Sequence, residues 1–448
     1  MKLVYASAQR NVFLLDLSVN IWLVEISDFV PGIDEGGRAF RCGMLASELA
    51  RRGHQVHWWT STFNHQLRRN RFATSTTATS TGGFTVHFLY GAGYRRSVSI
   101  ARWIHNRTVA AAFRANSADW AERERPDVVY ASVPTLEVAE AAAELASATG
   151  VPFCVDVRDL WPDIYLKVLP RWLQPLGRLA LTTEIQRARR IMKSASSIVA
   201  SSRAYLDWGL GFAGRPASSR DMVIPLGAPR LFSHAQLSYR DVRRLRPTLP
   251  GRRMILTFAG TFSKLFDFES ILAVAGLLER DGLSDVLFNF AGDGVLRPKM
   301  EKLSRGLPNV RILGWIGHRE VVRLLLSSHV GLAPYNWYIM GTLPNKPFEY
   351  MGCGLPVLYG GHSELNSLIA DERIGLTYRS GDVRDLMAKI LWLRANPEET
   401  RAMGRRAHHL YKTRFEERLV YGAFSSHLER LTQSLEAVTL GRPARMGH

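Results

Sequence analysis

In the stretch LPNKPFEYMGCGLPVLYGG, Leu343 to Gly361, Lys346 and Glu349 stand three residues apart. Pro347 belongs in a first helical turn, and Gly354 followed by Leu355-Pro356 stops the helix about two turns later. At i,i+3 the two side chains share one helix face. A plain surface ion pair would add roughly a few tenths of a kcal/mol. The chemical alternative sets the amine on a diphosphate at the helix N-terminus and gives the carboxylate a pair of vicinal hydroxyls, as on a ribose.

Other stretches carry comparable chemistry. In FAGTFSKLFDFES, Gly260 ends a strand while Thr261, Ser263 and Lys264 are expected to enter the next helix. Nine of the 58 basic residues are lysines, yet Lys264 and Lys346 both sit in candidate loops. A lysine at a helix start opposes the macrodipole, and either a bound anion or plain solvation resolves that conflict. Gly36 and Gly37 in PGIDEGGRAF leave backbone N–H groups open to a phosphate, or make a tight turn. VDVRDLWPDIY supplies Asp156, Arg158, Asp159 and Trp161, two carboxylates, a guanidinium and an aromatic face suited to a polyhydroxyl acceptor. The plainer alternative is an Arg158–Asp159 pair that staples the loop. His65 in WWTSTFNHQLRRNR is a loop histidine or a general base.

These groups need a frame to hold them. From Asn20, IWLVEI reads as a buried strand, PGIDEGG as a loop, RAFRCGMLASELARRG as an amphipathic helix and QVHWWTS as the next strand. PDVVYAS, LEVAEAAAELASATG and PFCVDVRD continue the alternation, and an apparent helix from Leu173 to Lys193 leads to SSIVASS. A second set runs through MILTFAG, DVLFNFAGDG, NVRILGWIG, VVRLLLSSHVGLAPY and LPVLYGG. Strands alternating with helices call for parallel sheets covered on both faces, here in two α/β domains. The expected division is an extension over 1–19, domains over 20–210 and 254–415, a Gly/Pro/Ser-rich hinge over 211–253, and a last helix with a disordered tail over 416–448. ATSTTATSTGG, residues 73–83, reads as a mobile loop.

The 448 residues carry a formal charge of +18 with 46% hydrophobic side chains. A chain of that length and composition folds as two or three ordinary domains. The charge favours an anionic partner, whether membrane leaflet, phosphorylated substrate or nucleic acid. The region of Arg68, Arg69, Arg71, Arg95, Arg96, Arg102, Trp103 and Arg107 docks on anionic lipid or forms a solvated cationic face. No RNP1-like sequence, zinc-finger spacing or basic heptad supports a nucleic-acid binder. Three scattered cysteines fit a reducing cytosol and make no metal pattern. NVFLLDLSVNIWLVEI is interrupted by Asp16, Asn20 and Glu25, so neither a signal peptide nor a spanning helix is expected.

In their order along the chain, EGGRAFRCGMLASELARRGHQVHWWTSTF, RDLWPD, AGDG and NKPFEYMGCGLPV resemble the GT-B nucleotide-sugar glycosyltransferases. The resemblance is to the retaining group 1 or family 4, in the branch that builds bacterial surface polysaccharides, and it runs from about Asn20 to Phe415. It implies two Rossmann-like domains facing across a cleft, with a C-terminal helix returning to the first domain. It assigns Gly36 and Gly37 to the loop facing the donor diphosphate, Lys346 and less closely Lys264 to phosphate, and Glu349 to the ribose hydroxyls. Gly341 stands where the family often has another glutamate, and Ser132 stands near where many members carry a histidine.

There is no Asp-x-Asp triplet, so leaving-group charge falls to Lys346, helix N-termini and Lys264, with no cofactor or metal required. The implied activity moves a hexose or N-acetylated or deoxy sugar from a nucleoside-diphosphate donor such as UDP to a lipid-linked or glycan acceptor. The implied place is the cytoplasm, or the inner face of the plasma membrane. A nucleotide-sugar epimerase on the same fold is the alternative enzyme, although no acid and base pattern for it is present.

Overall fold

Runs such as IWLV, VVYASV and FCVDV lack polar alternation, and strands of that kind are stable where both sheet faces are covered. The computed structural model gives them that setting, and it describes residues 18–34, 39–96, 99–228, 253–337 and 343–440. The N-terminal lobe contains β1 (Asn20–Val24), β2 (Gln55–Ser61), β3 (Phe63–Asn64), β4 (Arg69–Asn70), β5 (Thr76–Thr79), β6 (Thr85–Leu89), β7 (Val128–Val133), β8 (Phe153–Val157), β9 (Ser197–Ala200) and β10 (Met222–Val223). Eight of these form a sheet in the order β10-β9-β8-β7-β1-β2-β6-β5, while β3 and β4 pair as a small hairpin. Every pairing in the large sheet is parallel except β5 with β6.

The second lobe holds β11 (Met254–Ala259), β12 (Val286–Ala291), β13 (Val310–Gly314), β14 (Val330–Ala333), β15 (Val357–Tyr359) and β16 (Gly375–Thr377). They make one parallel sheet, β13-β12-β11-β14-β15-β16. Each lobe is Rossmann-like. Strand order reverses between β1 and β7 in one sheet and between β11 and β14 in the other, and a doubly wound sheet opens its ligand crevice at such a point.

Helices cover both faces of the N-terminal sheet. Helices Ile100–Arg123, Leu136–Thr149, Thr182–Ser194 and Arg203–Ala213 bury Phe113, Leu136, Ile191 and Leu206 on one side. The opposite side is covered by the helix Arg41–Arg51 and by the C-terminal helix Glu417–Leu440, whose Tyr421, Phe424 and Leu428 join Leu45, Tyr130 and Cys154. The last helix therefore does return to the first domain. Consecutive Trp58 and Trp59 of β2 are both buried because they point to opposite covered faces, Trp58 into the core beneath the returning helix and Trp59 into the other.

The chain crosses between lobes twice at one place. Ala228 N–H donates to Phe415 O at 3.1 Å, and Glu417 N–H donates to Ala228 O at 3.1 Å. These two bonds tie the segment at Ala228 to the segment that leads into the last helix. Among the described residues no helix is long and apolar enough to cross a membrane.

Several expectations differ from the structure. Residues 76–79 of the supposed loop form β5, an edge strand, because threonine is β-branched and fits a half-exposed pleat. The helix expected from Leu173 to Lys193 is a 3₁₀ turn, Arg171–Leu173, followed by two helices, Gln174–Ala180 and Thr182–Ser194. The expected linker from residue 211 still contains the end of the Arg203–Ala213 helix and all of β10, so the N-terminal lobe runs further. Arg71 leaves the cationic face: it is buried in a pair with Asp34 at 2.7 Å. Residues 1–17, most of the linker after Ala228 and the tail 441–448 lie outside the described residues.

Candidate active site

The second-lobe half of the site is built on bare strand ends. Gly260, just past β11, has φ +143°, and Gly292 and Gly294, just past β12, have φ +146° and +154°. A Cβ on Gly292 would sit 1.9 Å from the carbonyl oxygen of Gly260. Side chains are therefore excluded where the two strands end, leaving a ledge of backbone.

The helix Asn345–Gly352 faces this ledge. Pro344 precedes it in extended conformation and Pro347 lies in its first turn. Its end is a Schellman turn: Gly354 at φ +69° donates to Met351 O and Leu355 N–H donates to Tyr350 O. Tyr350 fastens the helix to the sheet, donating to Leu332 O at 2.8 Å, with its ring in the space that a side chain at Gly331 would need. Lys346 then reaches back to the end of β11. Its Nζ donates to Ala259 O at 2.6 Å and stands 4.8 and 5.4 Å from the ring centroids of Phe258 and Phe266. The amine takes the space of a Gly260 side chain, 1.6 Å from where its Cβ would lie. One turn along, Glu349 and Asn345 line a cavity of about 220 Å³ between the lobes.

Opposite them the N-terminal lobe presents Arg41 and Arg158. Arg41 is buried and forks onto Asp156, Nε to Oδ2 at 2.7 Å and Nη2 to Oδ1 at 3.0 Å. Its Nη1 donates to Ile224 O and Pro225 O at 2.9 and 3.0 Å, joining the cavity wall to the segment after β10. Tyr130 Oη also donates to Asp156 Oδ2 at 2.8 Å. Asp156, 0% exposed, is thus a buried partner of Arg41 that does not line the cavity; it acts on the site through Arg41.

Arg158 lines the cavity and forks onto Asp28, both bonds 3.1 Å. Asp28 Oδ2 also accepts the Cys42 N–H in the first turn of the helix Arg41–Arg51. Beneath them Glu25 accepts from Ser27 and from the Asp28 N–H, and burial together with the Asp28 charge pushes its carboxyl up to about 7. The Arg158–Asp159 staple does not form: Arg158 is committed to Asp28 and Glu25, and Asp159 Oδ1 accepts the Leu160 N–H at 2.8 Å. Trp161 packs edge-on against Tyr165, 4.2 Å between centroids.

His65 stands apart from this cluster, in the turn between β3 and β4, with Nδ1 2.5 Å from Tyr94 Oη. Burial, Arg102 and Arg68 pull its pKa down to about 4, so its imidazole is neutral at pH 7. Thr261 and Lys264 are exposed and lie in a loop rather than entering a helix. The helix starts later, at Phe268, because Asp267 Oδ1 caps it by accepting the Ser270 N–H. Gly36 and Gly37 lie outside the described residues.

The structure thus brings Glu349 and Arg158 to opposite walls of one cavity, while Lys346 and Gly260 meet at the end of β11, outside its lining. Arg41, Asp28, Glu25 and Asn345 belong with them and were not singled out from sequence. Arg41, a cation at a helix start like Lys346, carried the same signal. A further contact closes the crevice: Glu364, first in the helix Glu364–Asp371, accepts the Ala204 and Arg203 N–H groups of the facing lobe at 2.7 and 3.2 Å.

Two Rossmann-like lobes facing across a cavity define the GT-B class. Residues 36–227 match the model of the glycosyl transferase 4-like domain, and residues 253–396 match that of the glycosyl transferases group 1. The chain belongs to the GT-B glycosyltransferases. Sulfoquinovosyl transferase SQD2 of Arabidopsis thaliana is 23% identical over 290 residues, 64% of this chain and 53% of that protein. The chain thus spans about half the length of that curated relative. Sucrose-phosphate synthase from Thermosynechococcus elongatus superposes with a TM-score of 0.69 at 16% identity, over 94% of this chain and 100% of that one. Anabaena HepE in complex with UDP and glucose gives 0.60 at 15% identity, over 92% and 100%.

Proposed function

We propose that the chain transfers a hexose, or an N-acetylated or deoxy sugar, from a nucleoside-diphosphate donor to a lipid-linked or glycan acceptor in bacterial surface polysaccharide synthesis. The observation that carries this is the Asn345–Gly352 helix, which turns the Lys346 amine onto the bare end of β11 and sets Glu349 in the wall of the interlobe cavity. An amine beside exposed backbone suits a diphosphate, and a carboxylate one turn away suits the ribose hydroxyls. The UDP bound to the Anabaena relative supports UDP as the donor nucleotide.

Catalysis in this reading is electrostatic. As the bond between sugar and diphosphate breaks, Lys346 and the backbone beyond Gly260 and Gly292 offset the charge gathering on the leaving phosphate. Lys264, exposed in the adjoining loop, adds to that field, and no metal is required. The sugar passes through an oxocarbenium-like state and the acceptor hydroxyl attacks the face the diphosphate leaves. A donor phosphate oxygen takes the hydroxyl proton, giving retention. Arg158, locked by Asp28, orients the acceptor from the other lobe, with Asp159 and Trp161 beside it and Asp156 positioning Arg41. The work is done on the cytoplasmic face of a membrane.

A panel of nucleotide sugars, incubated with the protein and a lipid-linked acceptor and read by release of nucleoside diphosphate, tests the proposal. Transfer to the acceptor from one donor is the expected result. Release of free sugar whether or not acceptor is present, or interconversion of the donor without release, would contradict it.

A further inference from the structure

One wall of the interlobe cavity comes from the last helix. Glu417 N–H donates to Ala228 O as the chain crosses back, and one turn later Tyr421 lines the cavity together with Arg41, Arg158 and Glu349. The Tyr421 ring lies against bare backbone, since a Cβ on Gly227 would stand 2.9 Å from its Cε2. The residue is 0% exposed, and its Oη has no hydrogen-bond partner among the described residues. Tyr378, the other buried phenol among them without a partner, is not in the cavity wall. Buried hydroxyls are ordinarily paired, so an unpaired one at a cavity wall marks a place where a ligand atom completes the bond. Burial pushes the pKa of this phenol up, against the pull of Arg41 and Arg158, so the hydroxyl keeps its proton and serves as a donor.

The chemistry of the wall narrows the ligand. At about 220 Å³ the cavity is smaller than the roughly 300–1,000 Å³ pockets that enclose drug-sized molecules, so it holds one ring rather than a whole nucleotide. Its two guanidiniums are already matched by buried carboxylates, Arg41 by Asp156 and Arg158 by Asp28, which leaves little spare positive charge for a phosphate. An ionised Glu349 can only accept hydrogen bonds, whereas the phenol donates one. A vicinal diol complements both: its O–H groups donate to the carboxylate and its oxygens accept from Tyr421. Phe40, Met44 and Leu226 offer the C–H faces of a sugar ring an apolar side. We infer that Tyr421 is a ligand-binding residue of the donor site, its hydroxyl donating to an oxygen of the ribose whose hydroxyls donate to Glu349.

The inference rests on the proposed donor reading and extends it across the cavity. Glu349 belongs to the second lobe, while the helix that carries Tyr421 packs on the first. A bound ribose therefore ties the two lobes together with contacts to each.

The test is Tyr421→Phe in the full chain, which removes one oxygen and keeps the ring. Because that oxygen has no partner to lose, urea unfolding without ligand should give a midpoint at or above that of wild type. Calorimetry should show UDP bound about three- to tenfold more weakly, the equivalent of one neutral hydrogen bond, and the 2′,3′-dideoxy analogue bound as before. A less stable variant that binds UDP as wild type does would make the hydroxyl structural and overturn the inference. Equal losses for UDP and the analogue would overturn the ribose assignment. Glu349→Gln, measured alongside, separates the contact from the reading beneath it. Weaker UDP binding in Glu349→Gln with none lost in Tyr421→Phe overturns the contact and leaves the donor reading standing, whereas a wild type that binds no UDP overturns both.

Discussion

Replacing Gly260 with alanine tests whether the bare end of β11 exists to seat the Lys346 amine. The new Cβ would fall 1.6 Å from Lys346 Nζ and 2.7 Å from its Cε, so the lysine must leave. Its bond to Ala259 O is worth about 1.5–3 kcal/mol for a charged donor. Its place over Phe258 and Phe266 adds about 0.5–2 kcal/mol. At φ +143° an alanine also carries strain, about 1–3 kcal/mol. Gly260→Ala should therefore cost about 3 kcal/mol or more in urea unfolding and weaken UDP about 10- to 100-fold. In a Lys346→Ala background the added methyl meets no amine and only backbone strain remains, so the two changes should couple by the lost lysine contacts, about 2–5 kcal/mol. Unfolding and UDP calorimetry on the four proteins of this cycle decide the matter. Strict additivity, or a Gly260→Ala protein that holds UDP as wild type does, refutes the reasoning.

Three further outcomes are expected. Asp156→Asn breaks a buried pair and should lower stability by about 3 kcal/mol while a folded sample keeps its UDP affinity; lost turnover at unchanged stability would instead make Asp156 catalytic. Glu364→Ala removes the contact that spans the crevice, so small-angle scattering should show a larger radius of gyration without UDP and recovery with it; identical curves for wild type and variant would count against a latch. Glu25, raised from 4.5 to about 7, holds its proton longer in the folded state, so it lowers stability progressively as pH rises from 4.5 to 7, by about 3 kcal/mol in total. His87, pulled down by burial to about 3, has the opposite slope: it lowers stability as pH falls below 6.5. Urea unfolding across pH 4 to 8 should therefore tilt in opposite directions in Glu25→Gln and His87→Gln, and parallel curves would contradict both assignments.

What could be read from the sequence follows the range of each interaction. Strands buried on both faces announce themselves as unbroken apolar runs, and the Asn345–Gly352 helix is bounded by Pro344, Pro347 and Gly354 within a dozen residues. The same local logic misled at β5, where threonine reads equally as low complexity or as an edge strand. It also missed Asp267, a cap that delays the next helix past Lys264. Arg41 and Asp156 lie 115 residues apart in sequence, and Arg158 and Asp28 lie 130 apart, so neither pair leaves a periodic trace. The return of Glu417–Leu440 to the first lobe came from the resemblance, since an amphipathic helix does not name the face it will cover.

The central claim is that Lys346 and Glu349 grip a nucleoside diphosphate between the lobes, and calorimetry with paired ligands tests it most directly. Lys346→Ala should erase most of the preference of the protein for UDP over uridine. Glu349→Gln should erase most of its preference for UDP over the 2′,3′-dideoxy analogue, each loss on the order of 1.5–3 kcal/mol. Wild-type preferences that survive intact in both variants would place the nucleotide elsewhere, and the account would fail.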